Sequence, residues 1–401
     1  MSAQVAGRRT RGLVLQWRDR RFYLDTVLLL AALGLLLFGY VMVASASLHL
    51  GDKMGADSFY FPRHQFLHIA LGVVVGSMAG SVRLETWRNS SMSLYFLGLL
   101  LLVMVLIPGI GIRVNGSLRW ISLLGIRIQV SEIFKLIAVI YLASFIDRHI
   151  RLVRTSVQGM IRPFALLAVA ALLLLKEPDF GATAVIMATA LGMLFLAGAS
   201  LWQFGILIGS VGAAGAVLIM TAEYRLRRVL SFVDPWDDPL NSDFQLTQAL
   251  IAFGRGEWSG VGLGSSIQKM FYLPEAHTDF LFSVIGEELG LLGTTTVIFL
   301  FMVIVWRAFV IGQLAERAGT RFSAFLAYGI GIWFGLQAFI NMGVNMGMLP
   351  TKGLTLPLMS YGGGSMMVMC STLAILFRVR SEAIKAVASA PKAMRATWVR
   401  A

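Results

Sequence analysis

"LDTVLLLAALGLLLFGYVMVA", Leu24 to Ala44, decides how the rest of the chain is read. A helix rising about 1.5 Å per residue needs about 20 apolar residues to cross the hydrocarbon core of a bilayer. This run is long enough. "RDRR" before it (Arg18–Arg21) and "ASAS" after it (Ala44–Ser47) imitate a secretory signal with a small-residue cleavage site. The apolar stretch exceeds what such a signal carries, and many similar runs follow. It reads as an uncleaved first span.

The chain has 401 residues, of which 57% are hydrophobic and only 14% charged. Its mean hydropathy of +0.76 exceeds what soluble cores need. The composition specifies an all-α polytopic integral membrane protein, one transmembrane domain over residues 1–401. Cys370 is the single cysteine, so no internal disulfide forms. The net charge of +13 comes from bases scattered among apolar runs rather than gathered on one face. A membrane surface accounts for that pattern, and nucleic acid is not an expected partner.

Apolar runs predict about ten transmembrane helices, at 24–45, 66–81, 92–108, 128–147, 163–176, 181–199, 203–221, 280–306, 322–349 and 356–377. The fifth is short, and the glycine-rich ninth is long enough to kink or tilt. With a cytoplasmic N-terminus, the inner segments hold 21 of the 34 lysines and arginines, and the outer ones hold 12. The bias puts both termini in the cytoplasm, as tails 1–22 and 380–401. A large extracytoplasmic loop, 222–279, then lies between spans seven and eight. Within it, Leu246, Ala249, Leu250 and Phe253 share one helical face, expected to lie along the outer interface. The glycines of "GRGEWSGVGLG" (Gly254–Gly264) do not fit a dinucleotide fingerprint; they suit tight turns near a ligand or the membrane.

Ionisable groups at membrane depth are costly and mark a site or an ion pair. Glu132 and Lys135, three residues apart in "QVSEIFK", share a helical face, either as a structural salt bridge or against substrate. Glu287 and Glu288 face a cavity or pair with an arginine. Lys352, in the outer turn "LPTKGLTLP", is either a snorkelling anchor or a cation aimed inward by a stiff turn. Arg119 and Trp120 in "NGSLRWI" combine a cation with an aromatic plate, suited to sugar and phosphate or to the interfacial belt.

"FYLPEAHTDF", Phe271 to Phe280, places Glu275, His277 and Asp279 against the eighth span. His277 is a thin metal candidate. A boundary carboxylate such as Asp279 gains basicity in a partly dry cleft. From the residues alone it suits catalysis, ion translocation or a helix N-cap.

Nine motifs spread over nearly the whole chain carry a resemblance. They are "VMVASAS" (41–47), "NGSLRWI" (115–121), "QVSEIFK" (129–135), "EPDFGAT" (177–183) and "RRVLSFVDPWDDP" (227–239), continuing with "QLTQALIAFGRGEWSGVGLG" (245–264), "YLPEAHTDFLFSVIGEELG" (272–290), "NMGMLPTKGLTLPLMSYGGGS" (345–365) and the basic end of span ten. The chain resembles the SEDS family of bacterial cell-wall proteins, in its FtsW and RodA branch. The wording of "SSIQKMFYLPEAHTDF" (265–280) is closer to the division branch, FtsW, than to the elongation branch, RodA. Two departures are visible: Val130 stands where the family usually has proline, and Gly364 where it has the first of two serines.

The resemblance implies a peptidoglycan glycosyltransferase acting on lipid II at the outer face of the inner membrane, at the division septum. It implies Asp279 as the essential residue, here assigned as general base, with undecaprenyl diphosphate as leaving group. Lys352 and Arg119 become candidates to stabilise that diphosphate, with Arg225, Arg227 and Arg228 behind them. Trp120, Glu132, Lys135, Glu275, His277, Ser360 and Ser365 complete the substrate-contact candidates. A divalent cation, Mg or Mn, bridging diphosphate to Asp279 or Glu275 would serve the same end. Expected partners are a class B penicillin-binding protein of the FtsI type and the FtsQ, FtsB and FtsL divisome subunits. Two rivals are a lipid II flippase, which should hold its charges near the midplane, and a scaffold that only recruits a partner.

Overall fold

The computed structural model describes residues 14–17, 20–53, 57–114, 117–123, 126–223, 226, 232, 234–236 and 244–389. Arg225, Arg227 and Arg228 lie outside the described residues. In chain order the elements are a hairpin of β1 (Val14–Trp17) and β2 (Arg20–Tyr23), then α1 (Thr26–Lys53), α2 (Tyr60–Ser81), α3 (Leu84–Asn89) and α4 (Ser91–Leu106). Strands β3 (Ile112–Val114), β4 (Ser117–Leu123) and β5 (Ile126–Gln129) form an antiparallel sheet in the order β3-β4-β5. Helices α5 (Val130–Thr155), α6 (Val157–Lys176), α7 (Phe180–Leu196), α8 (Leu201–Met220) and α9 (Phe244–Gly256) follow. A π-turn (Gln268–Tyr272) precedes α10 (Leu281–Arg317), α11 (Arg321–Asn345) and α12 (Gly363–Ser389).

Ten of these helices fall on the ten apolar runs, and five are long and apolar enough to cross a membrane by length and composition. The chain is mostly helical, as expected of an all-α membrane protein, with strands only in the β1–β2 hairpin and in one further segment among the described residues. The segment between α4 and α5 alternates side chains at a period of two and forms the three-stranded sheet. Span limits also shift: α6 begins at Val157, six residues before the fifth run, and α10 continues to Arg317. Helix α5 has a mild break at His149, and α10, on the eighth run, breaks at Gly290, whose φ of 60° few other residues adopt.

That break fixes the large loop. An interrupted helix leaves backbone groups without partners, and these are expensive in an apolar setting. Here the loop after α9 supplies them. Val261 and Gly262 donate to the carbonyls of Glu287 and Glu288, at 2.9 and 3.0 Å. Leu291 and Leu292 donate to the carbonyls of Glu257 and Trp258, at 3.0 and 3.2 Å. The glycine-rich stretch therefore turns against α10 rather than against a ligand. Helix α9 forms as its periodicity predicts and buries Leu246, Thr247, Ala249 and Ala252.

Small residues allow the closest helix contact. Gly72, Gly76 and Gly80 of α2 repeat every four residues and lie on the backbone of α12; a Cβ at Gly76 would sit 2.9 Å from the Cys370 carbonyl oxygen. On the side that the arginine bias assigns to the cytoplasm, Asp25 caps α1 by accepting from the Leu28 amide at 3.0 Å. Its other oxygen pairs with Arg307 of α10 and Arg380 of α12, so one carboxylate ties three helices. Helix α8 buries no residue and presents an apolar surface all round.

Candidate active site

Asp279 is half-buried at the end of a tight turn. The amides of Thr278 and Phe280 both donate to the Glu275 carbonyl, at 3.1 and 3.2 Å, which curls "EAHTDF" back on itself. The cap of α10 is Phe280, with no side-chain cap bond, so the N-cap reading of Asp279 is not what the structure forms. Burial first, then the carboxylate of Glu275, push the Asp279 carboxyl up to about 7, against a smaller opposing pull from Arg119. Asp179 and Glu132 add to the upward push.

Asp279 opens into a cavity of about 630 Å³, the size of a small-ligand site. Arg119, Trp120, Glu132, Glu275, Lys352 and Ser365 line it too, joined by Asp179 and Phe180. The Lys352 ammonium stands 4.1 Å above the centre of the Phe180 ring and lines the cavity, the placement expected of a cation aimed inward by its turn. Strand β4 delivers Arg119, whose guanidinium donates to the carbonyls of Glu177 (3.0 Å) and Pro178. Those are neutral partners, so its positive charge is not cancelled by a carboxylate contact there.

Other candidates fall differently. Glu132 and Lys135 form a buried pair at 2.7 Å. Lys135 also donates to Gln337 at 2.6 Å and does not line the cavity, whereas Glu132 does, with its second oxygen buried and unpartnered. His277 packs between the rings of Phe61 and Tyr361, and burial lowers its pKa; it faces away from the cavity. Ser360 accepts from the Leu356 amide at 2.8 Å and shapes a turn. Glu287 pairs with Arg255 at 2.7 Å and Glu288 with Lys269 at 2.6 Å.

Sequence reasoning missed three features. Asp179 caps α7, accepting from the Ala182 amide at 3.1 Å, and takes bonds from Ser131 and Gln129. Glu177 is fully buried, and burial, with Asp179 nearby, pushes it up to about 8. Asn341 and Asn345 of α11 donate to the Asp279 carbonyl. An Asn pair at i, i+4 in an apolar run was the available signal. Among the described residues no group of three metal-ligating side chains gathers. A cation would rest on the hard oxygens of Asp279 and Glu275, completed by phosphate and water.

The FtsW/RodA/SpoVE family model, described as a cell cycle protein, matches residues 25–385. The chain belongs to this family. FtsW/RodA/SpoVE relatives include a probable peptidoglycan glycosyltransferase FtsW of Methylococcus capsulatus, 72% identical and covering 96% of each chain. Another, of the same description, from Methylomonas methanica, is 58% identical over 90% of this chain and 93% of that one. Both place the chain nearer FtsW than RodA within the family. Among solved structures, a chain from a peptidoglycan synthase complex that couples polymerization and crosslinking superposes with a TM-score of 0.72 at 24% identity, over 90% of this chain and 98% of that one. Thermus thermophilus RodA gives 0.65 at 23%, over 89% and 96%. These shared folds carry the SEDS architecture.

Proposed function

We propose that this chain is a peptidoglycan glycosyltransferase that polymerises lipid II at the outer face of the inner membrane during division, with Asp279 as general base. One observation carries the reading. A carboxylate with a pKa of about 7 and two inward cations, Lys352 and Arg119, face one cavity. The relatives' description as glycosyltransferases supports the reaction class.

The acceptor's GlcNAc 4-hydroxyl attacks the anomeric carbon of the donor. Its proton passes to Asp279, the new carbon–oxygen bond forms, and the bond to undecaprenyl diphosphate breaks with its electron pair on the diphosphate. A base is most effective when its pKa lies near the working pH. Lys352 and Arg119 offset the charge that accumulates on the leaving group. A bound divalent cation would neutralise the same diphosphate from Asp279 and Glu275. The polyprenyl chains would lie against the apolar helix surfaces, each buried CH₂ contributing about 0.8 kcal/mol.

The transporter reading requires alternating exposure of a central site. The tie of Asp25 to Arg307 and Arg380 braces the opposite end of three helices, which supports an enzyme over a flippase. The fold shared with a synthase-complex chain supports a class B penicillin-binding protein as partner. FtsQ, FtsB and FtsL type subunits follow from membership of the division branch.

The test uses purified protein with its penicillin-binding partner and lipid II in detergent. Wild type should yield glycan polymer and Asp279→Asn none. Abundant polymer from the variant rejects the base; none from either protein, with the complex intact, restores transport.

A further inference from the structure

We infer that Asn341 and Asn345 are positioning residues that fix Asp279 and couple it to the turn carrying Lys352. This rests on the reading of Asp279 as base. The two asparagines sit one turn apart on α11 and face the same way. The Asn341 amide donates to the Asp279 carbonyl at 2.9 Å and to the Leu354 carbonyl at 2.5 Å. Asn345 donates to the same Asp279 carbonyl at 3.0 Å, and its own oxygen accepts from the amide and hydroxyl of Ser283, at 3.1 and 2.7 Å.

Both side chains are buried. A buried amide without a partner is costly, so the loop and the turn cannot drift from α11 without that penalty. Leu354 donates back to the Lys352 carbonyl at 3.0 Å, closing the turn. Gly353, between them, lies against Asp279, for a Cβ built there would stand 3.1 Å from Oδ2. Asn341 therefore holds two loops, the one with the base and the one with the cation, through one nitrogen.

Helix packing does not explain this arrangement. Asn345 does join α11 to α10 through Ser283, but both donor contacts of Asn341 go to loop carbonyls, and its oxygen is buried without a partner. An apolar residue of similar size would fill the same space but leave the Leu354 and Asp279 carbonyls each one donor short.

The groups facing Asp279 are Glu275 on its own loop, Arg119 of β4, Asp179 at the start of α7, Glu132 of α5 and, across the cavity, Lys352. If the clamp loosens, the loop with Asp279 and the turn with Lys352 shift relative to each other and the reacting groups lose their alignment. Two measurements read this. One is steady-state turnover of lipid II by the holoenzyme complex. The other is rescue by Asn341→Gln, which keeps an amide donor, set against Asn341→Leu, which removes it.

For Asn341→Ala we expect kcat to fall roughly 10- to 100-fold with little change in KM, and a lower melting temperature because two buried carbonyls lose a donor. Asn341→Gln should recover much of the kcat that Asn341→Leu loses. Asn345→Ala, which leaves the Asn341 bonds, should fall less and serves should Asn341→Ala not fold. Normal kcat in a folded variant overturns the inference. So does equal loss of kcat in Asn341→Gln and Asn341→Leu, which assigns the pair to packing. Failure of the base reading itself would appear elsewhere, as polymer from Asp279→Asn.

Discussion

The ammonium of Lys352 stands 4.1 Å over the face of the Phe180 ring, at the mouth of α7 and inside the cavity that holds Asp279. A cation on an aromatic face is stabilised by about 0.5–2 kcal/mol, more when water is excluded. The ring thus aims a flexible side chain before any diphosphate arrives. Phe180→Leu keeps most of the volume and removes the π face. Its turnover should fall several-fold, up to about tenfold, while Phe180→Tyr stays close to wild type. Equal loss in both variants, measured on lipid II with the partner present, would make the ring a packing residue only.

The acid limb of turnover should be set by Asp279. Burial and Glu275 hold its carboxyl at about 7, so below that pH the base is progressively protonated and kcat drops about tenfold per unit. The stability effect has the opposite sign from a salt-bridged carboxylate. Here the folded state favours the neutral acid, so stability is fully present at low pH and declines as pH rises through about 7. Asp279→Asn cannot ionise and should melt higher than wild type at alkaline pH, with the gap closing under acid. A constant gap across the range would mean the side chain titrates normally.

How much of this was legible in the sequence follows from physics at particular residues. The apolar runs and the arginine bias are dictated by solvent, which acts on each segment separately, so ten helices could be read in advance. Asp279, Arg119 and Lys352 announced themselves as charges at a membrane edge. His277 sits in the same motif, yet its ring turns away to pack on Phe61 and Tyr361, a choice made by rotamer and neighbours that spacing does not encode. The pairs Glu287–Arg255 and Glu288–Lys269 join residues far apart in sequence, so only the folded chain reveals their partners. The sheet β3–β5 was missed because its strands are short, two of them only three and four residues, too few for a period of two to stand out. Asp179 and the asparagines stood visible as polar residues, but their hydrogen-bond partners lie far away in sequence and only the folded chain reveals them.

Gly353 separates Lys352 from Leu354 and touches the base. A Cβ there would lie 3.1 Å from Asp279 Oδ2, tighter than ordinary contact, so the carboxylate must yield by a few tenths of an ångström. Displacements of that order at a reacting group cost rate rather than fold. Gly353→Ala should lower kcat about tenfold or more and leave the melting temperature alone. Normal kinetics in this variant would show that Asp279 has room to move.

Glu288 and Lys269 meet at 2.6 Å with neither side chain more than 2% exposed, and Ser45 of α1 bonds to both. The pair ties the large loop, α10 and α1 together beside the break at Gly290. Removing one partner strands a charge that water cannot reach, a cost of about 3–5 kcal/mol. Glu288→Leu and Lys269→Met should each destabilise the protein by that order. The double variant Glu288→Leu with Lys269→Met leaves no buried charge, and apolar groups of similar volume often replace such pairs at little cost. It should therefore be more stable than either single variant, a non-additivity readable from four unfolding curves in detergent. Because the loop also leads to Asp279, turnover should return with stability in the double variant. Simple addition of the two single costs would mean that each residue answers to other neighbours, and the loop would then be held by its backbone bonds to α10 alone.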